Sequence, residues 1–121
     1  MDKVYISFYL RANRIHIFVS ALRKIGCPER ICFLMDKDGD SLILSPYKKR
    51  DFRSHRVPKE IYQGNRSLEI SSMKLCRLIA KIHHWDDSKS YRVQGKTNKE
   101  LNAILFTLSE AVVISSSEPI S

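Results

Sequence analysis

The composition indicates a small basic protein with enough apolar residues for a core. The chain has 121 residues, 43% of them hydrophobic, and it contains only four glycines and four prolines. These values exclude the disordered and low-complexity classes and are typical of one globular domain. Its 21 Lys and Arg outnumber its 13 Asp and Glu, and the net charge of +8 favours a polyanionic partner, either nucleic acid or an anionic membrane surface.

The N-terminal segment predicts a strand followed by a helix. Residues 4–10 alternate between an apolar face and a mixed face, which indicates a strand. After Asn13, a candidate helix cap, apolar residues recur with the spacing of a buried helical stripe. The members of this stripe are Ile15, Phe18, Val19, Leu22 and Ile25. Gly26 and Pro28 predict the end of this helix.

Residues 30–47 predict a β-hairpin at the centre of a sheet. The apolar runs Ile31–Met35 and Leu42–Leu44 flank the turn Asp36-Lys37-Asp38-Gly39-Asp40, whose Asp-Gly step suits a tight loop. The turn begins like a calcium-binding loop, but the sixth position of such a loop is Ser41 where Gly is required. A hairpin turn without calcium is therefore expected.

The rest of the chain predicts a second round of the same plan. The expected elements are strands at 51–57 and 67–70, a helix from Ser71 or Ser72 to residue 85, and a hairpin of 91–94 with 103–108. The apolar stripe of this helix contains Leu75, Leu78, Ile79 and Ile82, with Met73 and Cys76 beside it. Residues 111–114 fit either a strand or a short helix.

These elements predict an α+β fold in which two helices cover one face of a mainly antiparallel sheet. The order strand, helix and strand meander occurs twice. The single domain is expected to span residues 1–114, and residues 115–121 are expected to form a polar, disordered tail.

The positive charge is concentrated on the two predicted helices. Residues 11–26 and 72–85 contain seven bases and no acid, whereas the remaining charges nearly balance. The seven bases are Arg11, Arg14, Arg23, Lys24, Lys74, Arg77 and Lys81. If the helices lie on the same side of the sheet, these bases form one surface that attracts phosphates without reading bases. The alternative is a solvated face without a partner.

A second basic cluster follows the central hairpin. It contains Lys48, Lys49, Arg50, Arg53, Arg56 and Lys59. Asp51 and Glu60 interrupt it, which is typical of a solvated loop, and an extension of a binding surface is the alternative.

The order of elements over residues 3–114, with basic residues on both helices, resembles a single domain of the DNA sliding clamps. In that family the helices line the inside of a ring and contact the DNA backbone, while the sheets form the outside. The resemblance thus implies backbone binding through the helices. Clamp chains carry two or three such domains and this chain carries one, so a self-associating, clamp-like domain is expected.

Self-association is also expected from the apolar character of the outer sheet face. Tyr5 and Tyr9 lie on the side of the first strand away from Val4, and the hairpin strands carry apolar residues on both faces. A face of this kind is too apolar for a monomer, so the sequence predicts a homo-oligomer.

The sequence contains no catalytic signature. Three cysteines without a Cys-x-x-Cys pair predict neither a disulfide framework nor a zinc site, and they fit reduced thiols in the cytoplasm. His83 and His84 lack a third metal ligand at suitable spacing and are expected to interact with a helix terminus. No catalytic residue, metal or cofactor is predicted, and no segment is long enough to span a membrane.

The sequence therefore predicts a cytoplasmic, non-enzymatic protein that binds the phosphate backbone of DNA, or of RNA, through basic helix faces. The alternative is a protein-interaction or regulatory module with no nucleic-acid binding. An enzyme of unrecognised type is the third possibility.

Overall fold

The structure is a computed structural model that describes residues 3–64 and 66–114. Its strands are β1 (Val4–Tyr9), β2 (Arg14–Phe18), β3 (Arg30–Met35), β4 (Ser41–Pro46), β5 (Ser54–Arg56), β6 (Ser67–Ser71), β7 (Ser90–Asn98), β8 (Ala103–Thr107) and β9 (Val112–Ile114). Its helices are α1 (Val19–Lys24) and α2 (Met73–His83). Short 3₁₀ turns occupy Leu10–Ala12, Lys59–Gln63 and Leu108–Glu110. The predicted tail, residues 115–121, lies outside the described residues.

The strands form one antiparallel, nearly closed sheet in the order β5-β3-β4-β8-β7-β1-β2-β6, and β9 pairs with β7. The predicted α+β class with a mainly antiparallel sheet is confirmed, although more residues lie in strands than in helices. Neither α1 nor α2 is long and apolar enough to cross a membrane.

The core consists of alternate side chains on the inner face of the sheet. Ile6 lies opposite Ile17 on one side and Val93 on the other, and all three are fully buried. Directly opposed side chains on antiparallel strands pack closely, so β1, β2 and β7 form a continuous apolar layer. Leu22 of α1 and Ile79 of α2 are buried in the same cluster, so both helices pack on this inner face.

The helix predicted from Asn13 is wrong in its first half, where the chain forms β2. Ile15 and Ile17 are buried and His16 between them is half-buried, which is the alternation of a strand. β2 pairs with β1 over residues 14–17 and with β6 along its whole length. These long-range hydrogen bonds and the β-branched residues outweigh the local helical spacing. Asn13 adopts a left-handed conformation, φ 52°, and closes the turn from β1 instead of capping a helix.

The halves of the chain consequently differ from the predicted repeat of strand, helix and meander. Two strands precede α1, whereas one strand, β6, precedes α2. Since β1 and β2 form a hairpin closed by the turn Leu10–Ala12, the first helix begins one strand later than the pattern predicts.

The central hairpin is confirmed, with Met35 opposite Leu42. Its turn is held by Asp36, whose Oδ1 accepts hydrogen bonds from the backbone N–H groups of Asp40 and Ser41 at 2.9 and 3.0 Å. These bonds lower the pKa of Asp36, chiefly through Ser41. Asp36 thus has a structural role in the hairpin turn.

Other observed strands are shorter or longer than the sequence predicts. The strand predicted at 51–57 is reduced to β5, and the strand predicted at 91–94 extends over the whole of β7. Residues 112–114 form β9 and not a helix. β7 is long because its edge facing away from β1 pairs with β8 at one end and with β9 at the other.

Candidate nucleic-acid interface

Helix α2 carries the larger group of predicted contact residues. It begins at Ser72, whose Oγ accepts a hydrogen bond from the backbone N–H of Leu75 at 3.2 Å, and ends at His84 in a left-handed conformation. A side-chain cap of this kind stabilises a helix start by about 1 kcal/mol. The helix predicted from Ser71 or Ser72 is thus confirmed.

The buried side of α2 is narrower than predicted. Cys76 and Ile79 are buried, whereas Leu78 and Ile82 are 45% and 38% exposed. Apolar residues occupy most of the helix circumference, and the sheet covers only part of it. The predicted stripe was therefore displaced towards the exposed side.

The three bases of α2 all lie at the surface. Lys74, Arg77 and Lys81 are exposed, and the helix contains no acidic residue. None of them forms an ion pair with an acid in residues 3–64 or 66–114. Their charges are therefore available to an external anion.

Arg11 joins this surface from the turn after β1. Arg11 and Arg77 line the same cleft of about 340 Å³ between the turn Leu10–Ala12 and α2, together with Asp87 and Ser88. The backbone N–H of Ser72 donates to the carbonyl oxygen of Asn13 at 2.9 Å, which fixes the turn against the start of the helix. Arg11, Lys74, Arg77 and Lys81 are hereafter called the α2 basic face.

Arg14 is engaged within the protein. Because residue 14 lies on β2 and not on a helix, its side chain reaches the neighbouring strand β6 and forms an ion pair with Glu69. The hydrogen bond that the Arg14 guanidinium donates to the Glu69 carboxylate is the main reason that the pKa of Glu69 is lowered. His16 lies 3.3 Å from the same carboxylate.

Arg23 and Lys24 occupy the last turn of α1. The guanidinium of Arg23 donates to the carbonyl oxygens of Tyr62 and Gly64 at 3.2 and 2.8 Å and so ties the turn Lys59–Gln63 to α1. Lys24 is exposed. Thus four of the seven predicted contact residues form the α2 basic face, and Arg14 and Arg23 have partners within the chain.

The outer face of the sheet carries a group of packed aromatic side chains. Tyr5 lies 5.4 Å from Phe18 between ring centroids, and the guanidinium of Arg92 lies 5.0 Å from the Phe18 ring. Arg92 also donates to Ser7 Oγ at 3.0 Å. This packing partly covers the face that the sequence predicts to be apolar.

The other residues considered for catalysis or metal binding are buried or contact other parts of the fold. Burial raises the pKa of Cys76 to about 11, so its thiol stays protonated at neutral pH. His83 Nε2 lies 2.8 Å from the carbonyl oxygen of Gly39, and Trp85 stacks on Tyr91 with 4.3 Å between ring centroids. In the part of the chain that the structure describes, no three His, Cys, Asp or Glu side chains are grouped so as to hold a metal ion.

The fold adds Arg30 to three bases of the second basic cluster predicted from the sequence, Arg50, Arg56 and Lys59. Arg30, Arg50, Arg56 and Lys59 line one cleft, although Arg30 is 20 residues or more from the others. The pairing of β3 with β5 creates this cleft. Nothing in the sequence indicates that Arg30, which precedes the hairpin, joins the bases that follow it.

Comparisons of the chain with protein-family models, with curated proteins and with solved structures found no match.

Proposed function

We propose that this protein binds the phosphate backbone of nucleic acid through the α2 basic face. The observation that carries the proposal is that Arg11 and Arg77 line one cleft and that neither side chain forms an ion pair with an acid in residues 3–64 or 66–114, although Asp87 lines the same cleft. Two cationic side chains on one cleft attract a phosphate, because each adds a favourable charge interaction. Arginine also offers the paired donors that suit phosphate oxygens.

The dimensions of the helix suit a backbone with closely spaced charges. Lys74 and Lys81 are seven residues apart, or about 10 Å along a helix axis. Duplex DNA carries one charge for about every 1.7 Å of its axis, so this distance spans several phosphates. Contacts of this kind are independent of sequence, and DNA is proposed as the first ligand, with RNA as the second.

The clamp-like character of the domain is part of the same proposal. An antiparallel sheet backed by a basic, acid-free helix supports it. We further propose that copies of the chain associate through the outer sheet face, and that the protein works in the reducing cytoplasm, because its three cysteines are free thiols.

A second candidate function is favoured by apolar residues among the same bases. Met73, Leu78 and Ile82 are 52%, 45% and 38% exposed on α2. An amphipathic partner protein could use these side chains, so a protein-interaction module is the alternative. The double variant Met73→Gln/Leu78→Gln would weaken the binding of such a partner and leave nucleic-acid binding intact.

The test compares two double variants that remove the same charge. Arg11→Gln/Arg77→Gln alters the α2 basic face, and Lys96→Gln/Lys99→Gln alters exposed lysines at the β7–β8 hairpin. Fluorescence anisotropy at low salt would use two unrelated DNA duplexes and one RNA hairpin. Hydrogen bonds to charged groups contribute about 1.5–3 kcal/mol, so the first variant should bind at least about tenfold more weakly on both duplexes. Equal affinities for the two variants would refute the proposal.

A further inference from the structure

A second basic cleft lies at the edge of the sheet where β5 pairs with β3. Arg30 begins β3, Arg56 ends β5, and Arg50 and Lys59 flank them in a cleft of about 420 Å³. These four residues are hereafter called the β3–β5 basic cleft. Glu29 is the acidic residue among those that line it.

The register of the sheet places two of these charges directly opposite each other. Arg30 and Arg56 are Cα partners in the antiparallel pair of β3 and β5. Like charges at such positions destabilise a sheet. Within the part of the chain that the structure describes, neither side chain forms an ion pair that would offset this repulsion.

Arg30 is fixed in position. It is half-buried, and its Nε donates to Ser54 Oγ at 2.8 Å. The backbone on either side of it is held by Tyr47 N–H, which donates to the Arg30 carbonyl oxygen at 2.9 Å, and by Val57 N–H, which donates to that of Glu29 at 2.8 Å. A guanidinium held in this way loses little conformational freedom on binding an anion.

The acid nearest to Arg50 in the sequence is used elsewhere. Asp51 accepts hydrogen bonds from Arg53 N–H at 2.9 Å and from Tyr47 Oη at 2.8 Å, and these bonds lower its pKa. Burial and the nearby charge of Arg30 lower the pKa of His55, which keeps this imidazole neutral at physiological pH. The four bases against Glu29 therefore leave a cleft with a strong net positive charge.

A neighbouring cleft offers room for the rest of a larger ligand. It has a volume of about 500 Å³, shares Glu29, Arg30 and Arg50 with the first cleft, and adds Lys48, Tyr47 and Asn102. A ligand whose charged group lies between Arg30 and Arg56 could place its uncharged part there.

We propose that the β3–β5 basic cleft binds a phosphomonoester or diphosphate group. Such a group carries close to two negative charges or more on one compact unit, whereas each phosphate of a nucleic-acid backbone carries one. It matches a fixed guanidinium with a second one opposite. The source is either a free phosphorylated compound, such as a nucleotide, or the terminal phosphate of a nucleic-acid strand. This site is separate from the α2 basic face and does not depend on it.

The first experiment titrates pyrophosphate by calorimetry at low salt. Wild-type protein should show saturable binding. Arg56→Gln/Lys59→Gln should weaken it at least about tenfold, and Lys96→Gln/Lys99→Gln, which removes the same charge, should change it less than about twofold. Both altered residues of the first variant are exposed, so the fold should survive. Arg50→Gln alone gives a second test in which a loss of binding is also expected.

The second experiment identifies the source of the phosphate. A 5′-phosphorylated oligonucleotide that binds more tightly than its 5′-hydroxyl form, with the difference abolished in Arg56→Gln/Lys59→Gln, assigns the site to strand ends. Equal binding of the two oligonucleotides, with ADP still dependent on Arg56 and Lys59, assigns it to a free compound. Absence of saturable pyrophosphate binding to the wild type, or equal weakening by the control variant, overturns the proposal. Arg11→Gln/Arg77→Gln should bind pyrophosphate normally, so a failure of the proposed backbone binding is recognised separately.

Discussion

The packing of β7 against β8 can be tested at Gly95. This residue is buried between Val4 of β1 and Phe106 of β8, and a β-carbon there would lie 2.6 Å from Ile104 Cγ2 and from Phe106 Cε1. Both neighbours are fully buried and cannot move into solvent. Overpacking of a core costs about 1–3 kcal/mol, and two such short contacts place Gly95→Ala in the upper part of that range. For a chain of this size, about 2–3 kcal/mol corresponds to a loss of about 8–12 °C in Tm.

Urea unfolding of matched variants would measure this effect. Gly64→Ala is the control, because a β-carbon at residue 64 meets no atom within 4 Å, and it should be neutral or slightly stabilising. Phe106→Leu removes one of the clashing atoms, so Gly95→Ala combined with it should cost less than the sum of the single changes. A Gly95→Ala protein within about 0.5 kcal/mol of wild type would refute the packing of β7 against β8.

Two further predictions concern assembly and acid stability. If copies associate through the outer sheet face around Tyr5 and Tyr9, light scattering at micromolar concentration should give at least twice the chain mass of 14.1 kDa; a concentration-independent monomer would exclude this. The ion pair with Arg14 lowers the pKa of Glu69 below its usual 4.5. The ion pair therefore stabilises the fold at neutral pH, and this stabilisation is lost as the pH falls through the lowered pKa. Glu69→Gln should therefore flatten the acid side of a plot of Tm against pH, and superimposable plots would show that the pair is not formed.

The sequence predicted those elements that local patterns determine. The central hairpin follows from two apolar runs around an Asp-Gly turn, and α2 follows from a Ser cap and helical spacing. The spacing of its bases likewise predicted that Lys74, Arg77 and Lys81 share the exposed side.

The missed features depend on which strands become neighbours. Ile15 fits the helical spacing of the residues that follow it, and its alternation with Ile17 is too short to exclude a helix. The strand forms because β2 pairs with β1 and β6. The ion pair of Arg14 with Glu69 and the opposition of Arg30 to Arg56 arise in the same way. A charge count along the chain does not reveal such contacts, because the partners are 55 and 26 residues apart.

The central claim is that the α2 basic face binds phosphates of nucleic acid. The most direct measurement is the slope of log K against log salt for duplex DNA, with wild type and with Lys74→Gln/Arg77→Gln/Lys81→Gln. Gln retains helix propensity, so α2 should persist while three charges are removed. Each lost phosphate contact reduces the slope by about 0.9, so the triple variant should bind every duplex more weakly with a slope flatter by up to about 3. An unchanged slope and affinity in the triple variant, or no binding by the wild type at low salt, would contradict the claim.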